Sequence, residues 1–94
     1  MATKTALTSL EATILEVIGD MTRSERSPLV SIVRLRLEVG GSRRSFDNAM
    51  YELARFGYLN LYRDDSPSAF LSASEREGML WCGPVKYNAC SVRN

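Results

Sequence analysis

Ninety-four residues and 10.5 kDa are enough for one hydrophobic core and too few for two, which excludes a multidomain enzyme. With 45% hydrophobic residues, 24% charged, no histidine and two cysteines, the composition excludes a disordered chain, His-based catalytic pairs and the common zinc sites. The net charge of +1 excludes a uniformly basic chain, yet residues 21–63 carry eight arginines against four acids, for +4, between slightly acidic flanks.

Thr8-Ser9-Leu10-Glu11 has the form of a capping box and predicts a helix start. Leu10, Ile14, Val17, Ile18 and Met21 then recur at helical spacing as one apolar stripe, with Glu16 and Asp20 on the other side. Glu11 and Glu16 interrupt this stretch too early for a membrane span or a secretion signal, so a cytoplasmic location is expected. Arg23 to Ser27 is polar and ends the stripe; Pro28 opens a new element, and Leu29-Val30 predicts a short edge strand.

Val33 to Val39 alternates apolar and charged residues, which alone reads as a strand. Ile32, Leu35 and Val39 also fall at helical spacing, Leu, Arg and Glu favour helix, and Gly40-Gly41 is a helix stop, so the segment is assigned as helix. Ser42 caps the next helix, over 42–56. Phe46, Ala49, Met50, Leu53 and Phe56 crowd one side of it, and Arg44, Asn48, Tyr51 and Arg55 form a continuous stripe opposite. Gly57 ends this helix and Tyr58 to Arg63 alternates as a strand. Asp64 to Ser68 is a turn, with Ala69-Phe70-Leu71 as the returning strand of a hairpin. Ser72-Ala73-Ser74-Glu75 repeats the capping box and opens a short last helix through Met79, Leu80 and Trp81. From Gly83 to Asn94 the signals are weak: Gly83-Pro84 breaks regular structure, and Val85 to Val92 reads as extended or frayed. The whole chain, 1–94, is expected to be one domain with its core over about 8–81 and a tail from 83 to 94.

Helix, short strand, helix, tight turn, helix and hairpin is the order of a winged helix-turn-helix domain, and residues 8–81 resemble one of the MarR-like type. The resemblance rests on the Ser42-capped helix with Phe46 four residues on and Leu53 eleven on, followed by Gly57 and an apolar strand start. Leu71-Ser72-Ala73-Ser74-Glu75-Arg76-Glu77-Gly78 is similar to the Leu-Thr-x-x-Gly segment that follows the wing in such regulators. Arg36 departs from the usual alanine before the turn, and Gly41 from the usual buried apolar residue. The implied fold is α+β, a three-helix core with a β-hairpin wing and a short C-terminal helix.

That resemblance implies a sequence-specific duplex-DNA-binding protein and transcriptional regulator, and the residues suit it. Arg44 can donate to guanine O6 and N7, and Asn48 can pair bidentately with adenine. Tyr51 and Arg55 can hold phosphates, Ser42, Arg43 and the helix N-terminus can add a backbone contact, and Arg63 can reach phosphate or the minor groove. Arginine's planar fork suits these acceptors better than lysine. Asp64 and Asp65 at the expected wing tip would repel phosphate and argue against deep insertion. Apolar Met79, Leu80 and Trp81 suggest a homodimer on a palindromic site. The alternatives are a solvated helix face and a winged-helix protein-interaction module without DNA binding.

Catalysis is not expected, nor is a metal, a cofactor or a membrane partner. Trp81-Cys82-Gly83-Pro84 resembles the start of the thioredoxin site, but Val85 replaces its second cysteine, which dithiol exchange requires. Cys82 and Cys90 are read as free thiols in a reducing compartment, with a disulfide between them as the alternative. Asp64-Asp65 is a turn before it is an acid/base pair.

Overall fold

The computed structural model describes residues 6–65 and 71–93, and each helix in it begins at a side-chain cap. Thr8 accepts from the Glu11 N–H at 3.1 Å while Glu11 Oε1 accepts from the Thr8 N–H at 2.9 Å, starting α1 (Ser9–Glu25). Ile14, Ile18 and Met21 of α1 are buried, Leu10 and Val17 partly so. The helix stops at Arg26, which takes the left-handed conformation with φ +52°.

A two-residue strand, β1 (Val30–Ser31), leads directly into α2 (Ile32–Val39), capped by Ser31. The alternating segment is thus helical. Gly40 and Gly41 both hold positive φ, +72° and +82°, so the chain reverses within two residues and enters α3 (Arg43–Arg55) through the Ser42 cap. At the other end of α3, the Tyr58 N–H bonds the Leu53 carbonyl at 2.8 Å and the Gly57 N–H that of Ala54 at 3.2 Å. This is a Schellman stop around Gly57 at φ +84°. Strand β2 (Leu59–Arg63), α4 (Ala73–Gly78), β3 (Leu80–Cys82) and β4 (Val85–Val92) follow.

β4 is the centre of the antiparallel sheet. β2 pairs along one edge of it, from Leu59↔Val92 to Arg63↔Tyr87 with an irregularity before Arg63. β1 pairs at Val30↔Cys90 and Ser31↔Ala89, and β3 at Leu80↔Tyr87 through Cys82↔Val85. Both β2 and β3 meet Tyr87, so β3 shares the β1 edge. Ile14, Ile18, Ile32, Leu35, Phe46, Met50, Leu53, Leu80 and Cys90 are fully or almost fully buried where the sheet meets α1, α2 and α3.

Four expectations are corrected. β2 pairs with β4; Leu71 of the expected returning strand lies outside any strand, while 69–70 of that strand and 66–68 of the expected turn lie outside the described residues. The last helix ends at Gly78: Met79 is its C-cap in extended conformation, 3% exposed, and Leu80, 0% exposed, begins a strand of the sheet. Met79 and Leu80 are therefore buried, and of the three apolar residues that suggested a homodimer only Trp81 is partly exposed. The supposed tail supplies the central strand, its Gly83-Pro84 being a two-residue hairpin turn whose first position is a glycine at φ +60°, as a type II′ turn requires. The core accordingly extends past residue 81 to Cys90.

Candidate nucleic-acid interface

α3 is amphipathic in structure as in sequence. Phe46, Met50 and Leu53 are at most 1% exposed and Ala49 is buried with them, which fixes the roll of the helix against α1 and the sheet. Arg44 and Asn48, one turn apart on the outer side, are exposed and make no hydrogen bond or ion pair among the described residues. Arg55, two turns beyond Asn48, is 74% exposed, with its Nη1 3.8 Å from Glu52 Oε1 and its guanidinium 5.5 Å from the Phe56 ring centroid. An exposed pair of this kind holds an arginine only weakly, so Arg55 is available to a polyanion.

The other expected contacts are differently employed. The Tyr51 hydroxyl donates to the Trp81 carbonyl of β3, and burial, with Cys82 and Asp47 nearby, raises its pKa above the usual value. Tyr51 thus ties α3 to β3, its hydroxyl proton engaged within the chain. Arg43 donates through Nη1 to the Glu77 carbonyl at the end of α4, while its Nε stays 4.0 Å from Asp47. Ser42 is exposed, but its Oγ is engaged within the cap, by the Ser45 N–H at 3.1 Å and the Ser45 hydroxyl at 2.8 Å. Arg63 stands apart from the α3 stripe, at the far end of β2 after the irregularity, 3.3 Å from Asp65.

The side chain missed by pattern reading is Arg36. Its Nη2 donates to Asp47 Oδ1 at 2.8 Å and to the Met79 carbonyl at 3.1 Å, and its Nε to the Gly78 carbonyl at 3.1 Å. The guanidinium lies 4.6 Å from the Phe46 ring centroid. Its departure from an apolar residue was the only local signal, since every partner except Asp47 and Phe46 lies more than forty residues away.

Cys82 is exposed and Cys90 buried, both as free thiols; burial pushes the Cys90 thiol up to about 12. Among the described residues no group of three or more Cys, Asp or Glu side chains could hold a metal ion, and no helix is long and apolar enough to cross a membrane. Compared with known proteins, the chain matches no family model, and no curated protein or solved structure is significantly similar to it.

Proposed function

We propose that this chain is a winged helix-turn-helix protein that binds double-stranded DNA sequence-specifically and acts as a transcriptional regulator. The observation that carries the reading is the outer face of α3, where Arg44, Asn48 and Arg55 stand exposed opposite a fully buried face. A helix docked in the major groove needs that division between a packed stripe and a reaching one. The order of elements supports it: β1 falls between α1 and α2, a two-glycine turn joins α2 to α3, and β1 and β2 flank β4. In this reading α4 and β3 occupy the place of the wing.

Arg44 and Asn48 read base edges, while Arg55 and the N–H groups at the start of α3 hold phosphates, with Arg43 committed to the Glu77 carbonyl. Arg63 adds a contact to the backbone at the flank. A homodimer on a palindrome would double the number of base pairs read by so small a domain. One observation favours a protein-docking module instead: Leu37 on α2 is 79% exposed.

A gel-shift titration of the chain with a randomised duplex pool separates the two readings. DNA binding predicts retention at about 50 mM salt, falling steeply with ionic strength at about 0.9 logarithmic units per phosphate contacted, and enrichment of one sequence on selection. Absence of retention at that salt would refute it and leave the docking module.

A further inference from the structure

Arg36 links three elements with one planar group. Its side chain is only 15% exposed, and it joins α2 to Asp47 of α3 and to the Gly78 and Met79 carbonyls where α4 gives way to β3. Stability does not account for it. Buried ion pairs are commonly matched by apolar side chains of similar volume, and here Nη1 is buried without a hydrogen-bond partner among the described residues, which costs further. What the guanidinium supplies is geometry, because a rigid fork meets these acceptors in only one relative placement of their backbones. Asp47 immediately precedes Asn48 and is one turn from Arg44, so α3 is gripped beside its exposed stripe. Arg43 to the Glu77 carbonyl and Tyr51 to the Trp81 carbonyl tie α3 to the same stretch of chain.

We infer that Arg36 is a positioning residue: it sets the orientation of α3 against the α4–β3 unit and, through it, sequence discrimination on duplex DNA without touching the duplex. The second half of this inference rests on the DNA-binding reading above.

The test uses the full chain carrying Arg36→Met with Asp47→Leu, which removes both charges together, and separately Arg36→Lys, which keeps the charge and loses the fork. Residual dipolar couplings of backbone amides report the orientation of α3 relative to β4 without any ligand. The expected result is cooperative unfolding near the wild-type temperature with a rotated α3. On the duplex that the wild-type chain enriches from a random pool, affinity falls roughly tenfold, the scale of residues that couple parts of a protein without contacting ligand. Affinity for unselected duplex and its salt slope stay unchanged, which a purely structural role would not produce. Arg36→Lys behaves as the double variant does. An unmoved α3 in either variant, or full discrimination with lysine, overturns the inference. If the wild-type chain enriches no duplex, the DNA reading fails while the couplings still judge Arg36; if the double variant does not fold, Arg36→Lys decides by the same measurements.

Discussion

Gly78→Ala is expected to destabilise the fold, although alanine is the better helix former. A Cβ built at Gly78 would lie 2.7 Å, 2.9 Å and 3.1 Å from the Cγ1, Cγ2 and Cβ atoms of Val33 on α2. Carbon atoms in contact settle at about 3.5–4.0 Å, so α4 and α2 must separate by close to 1 Å. Val33 cannot swing aside, because a β-branched side chain in a helix is confined to essentially one χ1 rotamer. Overpacking of this kind costs about 1–3 kcal/mol, against a helix-propensity gain of at most about 1 kcal/mol, smaller still at a helix end. The net loss is about 1–2 kcal/mol, and a domain of this size loses about 4–8 °C in Tm for each kcal/mol. Thermal unfolding followed by circular dichroism would register a fall of roughly 5–15 °C. Val33→Ala in the same chain should recover part of it, giving a non-additive cycle. A variant as stable as wild type, or strict additivity with Val33→Ala, would refute the steric argument.

Arg44→Ala should cost about 1–3 kcal/mol on a selected duplex and relax base preference, whereas Arg55→Ala should weaken binding to all sequences alike and flatten the salt dependence. Equal, sequence-independent losses would overturn that division of roles. Tyr51→Phe removes the bond to the Trp81 carbonyl and should lower stability by about 0.5–1.5 kcal/mol while leaving the salt slope of DNA binding unchanged; a reduced slope would return Tyr51 to the phosphate contacts. Iodoacetamide at pH 8 should label Cys82 in the native chain and Cys90 only after unfolding, as mass spectrometry would reveal. Because folding raises the Cys90 pKa from 9.0 to about 12, its contribution to stability is complete below pH 9 and is lost between pH 9 and 12 as the unfolded thiol ionises first. Tm should therefore fall across that window, and less steeply in Cys90→Ala.

Local chemistry made most of the helices legible. Thr8, Ser42 and Ser72 are caps because each hydroxyl accepts an N–H three residues ahead, a distance that sequence reports directly. Gly40-Gly41 and Gly57 mark helix ends for the same reason: positive φ is a property of one residue and needs no partner. The buried and exposed faces of α3 likewise follow from spacing along a rod whose period is known.

The sheet was not legible, because strand partners are chosen across the chain. β2 alternates visibly but cannot state that its neighbour begins more than twenty residues later. β4 lacks alternation: as the central strand its two faces are both partly covered, with Lys86, Cys90 and Ser91 all buried. Whether Leu80 belonged to an exposed helix or to a strand beside β4 depended on that same pairing.

The roles of polar side chains divide in the same way. Sequence alone determined that Arg44, Asn48 and Tyr51 share a helix face, since covalent spacing sets the angle between them. Tertiary structure alone decided that Tyr51 and Arg43 are bound to β3 and α4 while Arg44 and Asn48 have no bonded partner among the described residues, and that Arg36 grips three elements at once. A hydrogen bond to a main-chain carbonyl thirty or forty residues away depends only on where folding brings that carbonyl, and any residue type supplies one.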